Sequence, residues 1–223
     1  GVSLLGIIAA LFVATALMFV GGLSWKIIGG VLAVAVPSVL VFLSIVMQEG
    51  QTLIKDYQRD RIMAFFDPAT YADTEAYQQL NSVIAIGSGQ LWGKGLNNAD
   101  IASVKNGNFL PESQTDFIFA VIGEELGFVG SAVVILLLIL IAMRCVSIAR
   151  VAKDTAGMVI AAGMGSLIGI QGFMNIAVAT MMMPNTGLPL PFVSYGLSSL
   201  VSMYIGIGFV LNVGLQRKNL YNL

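Results

Sequence analysis

Histidine is absent from this sequence of 223 residues, and cysteine occurs once, at Cys145. Without histidine the chain lacks the side chain that most often serves as a general base, and a Ser-His-Asp triad is excluded. Most zinc sites need histidine or several cysteines, so we predict no metal ligands of that kind. A lone cysteine also excludes a disulfide within the chain. Proton transfer would therefore have to use other groups, and carboxylates are the ordinary alternative.

Charge is scarce as well. Charged residues make up 10% of the sequence, against about 25% in soluble domains. Hydrophobic residues make up 57%, and the mean hydropathy is +0.88. The formal net charge of -1 and the lack of a basic patch indicate no nucleic-acid partner. This composition predicts an all-α polytopic membrane protein.

Five apolar segments are long enough to cross a bilayer, which takes roughly 20 apolar residues per helix. They are residues 2–23, 27–47, about 117–143, 157–183 and about 198–215. A large loop, residues 48–116, separates the second segment from the third, and a proline- and glycine-rich loop covers 184–197. We predict one membrane domain over 1–223. Because the chain opens inside an apolar run, we expect it to be the C-terminal part of a longer protein.

The distribution of lysine and arginine predicts the orientation. Short connections rich in these residues stay in the cytoplasm. Lys26, the connection at 144–153 and the tail at 217–218 carry such residues. The two loops would then face outward, and the C-terminus would be cytoplasmic.

Within the large loop, the run DTEAYQQLNSVIAIGSG has apolar and small residues at helical spacing. They are Ala76, Leu80, Val83, Ile84 and Gly87. We predict an amphipathic helix near the outer membrane surface, with Asp73 as its candidate N-cap. In the other loop, MMMPNTGLPLPFVSYG predicts an irregular segment sheltered from lipid.

Four carboxylates lie around the start of the third apolar segment: Glu112, Asp116, Glu124 and Glu125. On a helix, Asp116 shares its face with the small residues Ala120, Gly123, Gly127 and Gly130. Small residues let another helix approach closely, so we predict Asp116 at the outer end of a packed seam. Partial desolvation would make its carboxylate a better proton acceptor. We therefore favour a chemical role for Asp116.

The other three acids have alternative explanations. Glu124 and Glu125 would lie within the membrane, where a charged side chain costs about 2.5–3.5 kcal/mol or more. We favour a structural polar network with a cationic partner for both of them. For Glu112, a role at the helix N-terminus and a functional role are equally plausible.

The basic and amide side chains leave their roles open. Lys94, in the glycine-rich run GSGQLWGKGL, would suit a phosphate, but an ordinary turn explains it as well. Arg59 and Arg61 would suit an anionic head group, or would pair with neighbouring aspartates. Gln171 and Asn175 are expected to be interhelical hydrogen-bond partners rather than ligands.

Four runs carry a resemblance to a known family: RDRIMAFFDP at 59–68, YQQLNSVIAIGSGQLWGKGL at 77–96, FLPESQTDFIFAVIGEELGFVG at 109–130 and GLPLPFVSYGLSSL at 187–200. In order and spacing, the chain resembles the C-terminal part of the SEDS family (shape, elongation, division and sporulation), whose members are RodA-, FtsW- and SpoVE-like. The resemblance implies a bacterial peptidoglycan glycosyltransferase in the cytoplasmic membrane. Such enzymes polymerise lipid II, an undecaprenyl-pyrophosphate-linked disaccharide peptide, for elongation, division or sporulation.

The resemblance also implies site residues and partners. The family's essential aspartate falls on Asp116, and the SYG run places Ser194 and Tyr195 among the substrate contacts. Lys94, Arg59 and Arg61 become candidates for the leaving pyrophosphate, with a divalent cation, Mg²⁺ or Mn²⁺, as the alternative. The implied partner is a class B penicillin-binding protein, in contact with membrane lipids.

Some features depart from the family pattern. Many members have histidine where this chain has Gln114, which argues against an obligatory histidine base. Many have SYGGSS where this chain has Leu197, which puts a glycine-dependent bend there in question. Two other functions compete with polymerisation: a lipid II flippase and a non-catalytic scaffold. Charges concentrated at the outer ends of the spans favour chemistry at one surface over transport.

Overall fold

The computed structural model describes residues 10–11, 13–15, 17, 21–22, 24–46, 56–74, 76–96 and 113–216. Within these ranges the regular structure is entirely helical. The elements are α1 (Trp25–Val46), α2 (Asp56–Phe66), α3 (Tyr77–Ser88), α4 (Ile118–Arg150), α5 (Thr155–Ala179) and α6 (Leu197–Leu215). The all-α prediction is confirmed.

Three helices in the described part, α4, α5 and α6, are long and apolar enough to cross a membrane. They match the third, fourth and fifth predicted segments, and α1 matches the second. Most of the first segment lies outside the described residues, although those described between 10 and 17 are helical. The chain is a polytopic membrane protein.

The C-terminal end of α4 differs most from its predicted bound. The third segment was predicted to end near residue 143, but α4 continues to Arg150. The connection to α5 is therefore short, with Asp154 as the N-cap of α5, whose carboxylate accepts a hydrogen bond from the Gly157 amide at 2.7 Å. A basic residue in the last turn suits a helix C-terminus, so Arg150 does not require the helix to end earlier.

Small residues bring α4 and α5 close together. A Cβ atom added to Gly165 would lie 3.0 Å from the Ala142 carbonyl oxygen and 3.1 Å from the Cys145 Cβ. The Cys145 side chain is buried in this interface. Such close approach of helix backbones is the usual basis of packing within a membrane.

The helix α3 begins at Tyr77, and its N-cap is Ala76, without a side-chain hydrogen bond. The prediction of Asp73 as N-cap is wrong, because the preceding residues form a separate turn. In that turn the amides of Thr74 and Ala76 both donate to the Tyr71 carbonyl, at 3.1 and 3.0 Å. The helical register therefore starts after this turn.

A polar face docks α3 onto the C-terminal end of α5. The Gln79 amide nitrogen donates to the carbonyls of Val178 and Met183, at 3.0 and 2.8 Å. The Ser82 hydroxyl donates to the Ala179 carbonyl at 2.7 Å. The Ala179 carbonyl is one of those that a helix end leaves without a partner within the helix. The apolar side chains of the predicted stripe, at Val83 and Ile84, point away from this contact and are exposed.

Candidate active site at the N-terminal end of α4

The helix α4 is interrupted at Gly127, which has φ 65° and ψ -163°. This backbone conformation is essentially restricted to glycine. A break in a membrane helix frees backbone groups, which must find partners within the protein. The turn at residues 89–95 supplies them. Before the break, the Glu124 carbonyl accepts from the Lys94 amide at 2.9 Å and the Glu125 carbonyl accepts from the Gly95 amide at 3.1 Å. After the break, the Phe128 amide donates to the Gln90 carbonyl at 2.8 Å and the Val129 amide donates to the Leu91 carbonyl at 3.2 Å.

An ion pair reinforces this junction. The Lys94 Nζ lies 2.8 Å from the Glu124 Oε1, and the Glu124 side chain is only 2% exposed. A buried carboxylate requires compensation of this kind. Lys94 is therefore both a turn residue and the cationic partner of Glu124. The Glu125 side chain is half-buried.

Asp116 lies in the turn 113–117 that leads into α4, and it is half-buried. A Cβ atom added to Gly187 would lie 3.4 Å from the Asp116 Oδ2. Gly187 has φ +68°, so the second loop passes the carboxylate in a backbone conformation that favours glycine. On α4, the predicted seam residues Ala120, Gly123 and Gly127 are buried.

Hydrogen bonds tie the segment before α4 to the second loop. The Ser194 hydroxyl donates to the Thr115 carbonyl at 2.6 Å and accepts from the Leu190 amide at 2.7 Å. The Tyr195 amide donates to the Gln114 carbonyl at 2.8 Å. The Ser194 side chain is buried, whereas Tyr195 is 75% exposed. The proton of the Ser194 hydroxyl is therefore engaged inside the protein.

Two amides of α5 hold the same loop. The Gln171 Nε2 donates to the Pro189 carbonyl at 2.9 Å. The Asn175 Nδ2 donates to the Leu188 carbonyl and to the Asp116 carbonyl, each at 2.7 Å. Both residues were predicted to bond a neighbouring helix, but their acceptors lie in irregular segments. The irregular loop itself was predicted correctly, and its sheltered side chains are Asn185, Thr186, Leu190, Pro191 and Ser194.

Arg59, Arg61 and Glu112 are the other predicted site residues. Arg59 and Arg61 lie on α2. Arg61 is exposed, whereas the Arg59 Nε is buried and has no hydrogen-bond partner in the described part of the chain. Glu112 lies outside the described residues. Leu197 begins α6, so no glycine conformation is needed there.

No metal cluster accompanies the site within the described ranges. Three or more Asp, Glu, Cys or His side chains do not gather there in a way that could hold an ion.

Apolar surface surrounds the junction. A groove of about 610 Å³ lies between α3, α4 and α5 and meets another of about 360 Å³, with Ile135, Ile139 and Ile176 lining both. Small residues, including Ala142 and Gly169, line the second groove. A separate cavity of about 320 Å³ lies between α5 and the helical residues around 10–17, beside Gln171 and Leu188.

The FtsW/RodA/SpoVE family model, described as a cell cycle protein, matches residues 4–219. The chain belongs to this family. It is 41% identical over 220 residues to the peptidoglycan glycosyltransferase MrdB of Escherichia coli strain K12, covering 99% of this chain and 56% of that protein. It is 38% identical over 215 residues to a probable peptidoglycan glycosyltransferase FtsW of Nitrosomonas europaea, covering 95% of this chain and 52% of that protein.

A solved structure has the same fold. It comes from work titled "Structural coordination of polymerization and crosslinking by a peptidoglycan synthase complex". The TM-score is 0.71 at 29% identity, covering 97% of this chain and 57% of the other. The chain thus spans somewhat more than half the length of each of these three relatives.

Sequence reasoning did not assign Gly187 or Asn175 to the site. Gly187 stood only as one turn residue in a proline-rich loop, and its approach to Asp116 depends on long-range packing. Asn175 was visible as an amide in an apolar segment. A buried amide in a membrane helix signals a specific partner, but the identity of that partner requires the fold.

Proposed function

We propose that the protein is an inverting glycosyltransferase that polymerises lipid II into β-1,4 glycan strands on the outer face of the bacterial cytoplasmic membrane. The observation that carries this proposal is the half-buried Asp116 carboxylate beside the backbone of Gly187, where α4, α5 and the second loop meet. Relatives that cover nearly the whole chain are named peptidoglycan glycosyltransferases. The absence of histidine from the 223 residues leaves a carboxylate as the natural base.

The proposed step needs one base and one leaving group. Asp116 accepts the proton of the 4-hydroxyl of the acceptor GlcNAc, and the oxygen attacks C1 of the donor MurNAc. The new bond forms as the bond from C1 to the pyrophosphate oxygen breaks, and the electron pair leaves with the polyprenyl pyrophosphate. Attack from the face opposite the leaving group inverts C1 and gives the β-1,4 linkage.

Protein cations would stabilise the departing pyrophosphate. We assign this role first to Arg59 and Arg61, because the buried Arg59 Nε has no hydrogen-bond partner among the described residues. Lys94 would contribute mainly through its field, since its ammonium already contacts Glu124. A divalent cation, Mg²⁺ or Mn²⁺, that arrives with the substrate would be the alternative source of positive charge.

Other contacts to the substrate are proposed from the family motifs. Glu112 and the exposed Tyr195 ring would bind the sugar or peptide, and Ser194 would shape the loop that faces it. The apolar cavity beside Gln171 and Leu188 would hold part of a lipid tail, because it adjoins the segment that carries Gly187.

We further propose that a class B penicillin-binding protein binds the protein through the grooves on α4 and α5. The related structure belongs to a complex that joins polymerisation to crosslinking. Small residues such as Gly169 on the groove wall would let a partner's membrane helix approach closely.

Disulfide crosslinking tests this surface. Phe173 and Met143 line the groove and are exposed, so F173C and M143C should crosslink to cysteines scanned along the partner's membrane segment. F209C is the matched control, because Phe209 is an exposed residue on α6. Equal crosslinking of F209C, or no crosslinking of F173C and M143C, would show that the groove is not the partner-binding surface.

The experiment for the function itself is synthesis in detergent. The full-length protein, purified with its partner, is given lipid II, and glycan strands are separated by length. A polymerase yields strands in micelles, where there is no membrane to cross. A flippase or a scaffold yields none, so an absence of polymer from an intact complex would reject the proposal.

A further inference from the structure

Asn175 has an unusual set of contacts for a side chain in a membrane helix. It is 1% exposed, and its Nδ2 donates to two backbone carbonyls from different segments, Asp116 and Leu188. Both acceptors are carbonyl oxygens, so only the amide nitrogen can face them. The ambiguity between amide nitrogen and oxygen that often affects asparagine is therefore resolved by the partners.

The other end of this amide carries a cost. The Asn175 Oδ1 is buried and has no hydrogen-bond partner within the described ranges. Burying an acceptor without a partner is unfavourable, because the oxygen loses its hydrogen bonds to water. An apolar side chain of similar size would avoid this cost, but the carbonyls of Asp116 and Leu188 would then lose the hydrogen bonds that Asn175 donates. The arrangement therefore favours a specific geometry over stability, which is a common property of functional sites.

The two carbonyls flank the candidate base. One belongs to Asp116 itself, and the other belongs to Leu188, the neighbour of Gly187, which faces the carboxylate. A single amide thus fixes both sides of the space between the carboxylate and the loop. Displacing either side would move the base relative to a bound sugar.

We propose that Asn175 is a positioning residue for the glycosyl transfer, acting through the backbones of Asp116 and Leu188. This inference rests on the proposed function, because it assigns to Asn175 the geometry that Asp116 needs for proton transfer. Asn175 itself touches no reacting atom. A misplacement of about 1 Å at a reacting centre can lower a rate about 100-fold, so loss of this clamp should affect the chemical step.

The chain provides a matched control in Gln171. It lies four residues earlier on α5, and its amide donates to the Pro189 carbonyl of the same loop. Its hydrogen bond is to Pro189 and does not involve Asp116. Q171L therefore loosens the loop alone, whereas N175L loosens the loop and the base together.

The experiment compares the turnover of lipid II by the full-length protein in complex with its partner, for the wild type, N175L, N175S, Q171L and D116N. We expect N175L to lower kcat about 10- to 100-fold with little change in KM. Q171L should lower kcat by less than N175L does, because it frees the loop without freeing the Asp116 carbonyl. N175S retains one hydroxyl donor, which can hold only one of the two carbonyls, so its kcat should be intermediate; it also serves if N175L does not fold.

The outcomes separate the two proposals. If D116N is inactive and a folded N175L or N175S keeps the wild-type kcat, Asn175 has no positioning role. Equal losses of kcat in Q171L and N175L would also overturn the inference, because loop anchoring alone would explain them. If D116N remains active, the proposed role of Asp116 fails, and the inference fails with it.

Discussion

At the scale of one residue, Gly127 explains why the N-terminal half of α4 is interrupted. Its φ of 65° and ψ of -163° lie where other residues are strongly disfavoured. A Cβ atom there would overlap the Gly93 amide nitrogen and the Leu91 carbonyl. The break and the turn that fills it therefore depend on glycine.

We predict that G127A lowers the free energy of unfolding by about 2 kcal/mol or more, because it adds backbone strain and a clash. Thermal unfolding in detergent measures this. G169A is the control, since a Cβ atom at Gly169 would meet nothing within 4 Å. Similar midpoints for the two variants would show that the break tolerates a side chain.

The Lys94–Glu124 pair makes an asymmetric prediction. K94M leaves a carboxylate that is 2% exposed without its ammonium, whereas E124Q leaves a lysine that is 29% exposed and can reach solvent. We expect K94M to destabilise the protein more, by about 1–3 kcal/mol. K153M, at an exposed lysine in the turn before α5, is the control. A larger loss in E124Q than in K94M would contradict this account.

At this scale the sequence made Asp116 the candidate base, because a carboxylate in front of a stripe of small residues has few structural explanations. It could not identify Gly187, which is distant in sequence and approaches only because Ser194 and Asn175 hold the loop. Long-range hydrogen bonds of this kind leave no periodic trace in a sequence.

Helix ends and faces form the next scale. The helix α5 ends in two hydrogen bonds typical of a Schellman motif: the Met182 amide donates to the Ala177 carbonyl at 2.7 Å, and the Met181 amide donates to the Val178 carbonyl at 3.0 Å. Met181 has φ 58°, at the position where glycine is usual. The helix therefore ends before Met183, the predicted boundary.

We predict that M181G leaves the protein as stable as the wild type, or up to about 1 kcal/mol more stable. Glycine removes the strain of a left-handed residue but gains freedom in the unfolded chain, and these effects oppose each other. The midpoint of thermal unfolding measures the balance. A clear loss of stability would mean that packing of the Met181 side chain outweighs the strain.

Helices α4, α5 and α6 could be predicted because length and apolarity determine what crosses a membrane. The docking face of α3 could not, because its buried residues include Gln79 and Ser82. From sequence alone, a polar helix face is predicted to be exposed to solvent. The carbonyls of Val178, Ala179 and Met183 that Gln79 and Ser82 bind are known only from the fold. The apolar side of α3 is the exposed one, which agrees with a position near the membrane surface.

At the scale of the whole molecule, the two ends of α4 and α5 differ. Residues 89–95, α3 and the second loop gather at one end, and Arg150 and Lys153 lie at the other. The positive-inside rule predicts that the basic end lies in the cytoplasm, so we expect the candidate site to face outward.

Thiol labelling of intact cells tests this orientation. We predict that W92C reacts with a membrane-impermeant reagent, because Trp92 is 78% exposed in the outer turn. K153C should react only after the cells are permeabilised. The native Cys145 is buried and should add little background. Labelling of K153C in intact cells, with W92C protected, would reverse the orientation.

The central claim is that Asp116 performs the chemistry, and one rate tests it most directly. The initial rate of glycan synthesis from lipid II is compared for the wild type and D116N, both purified with the partner and shown to fold and bind it. General-base catalysis contributes about 100- to 10,000-fold, so the account predicts a loss in that range for D116N. A rate for D116N close to that of the wild type would contradict it.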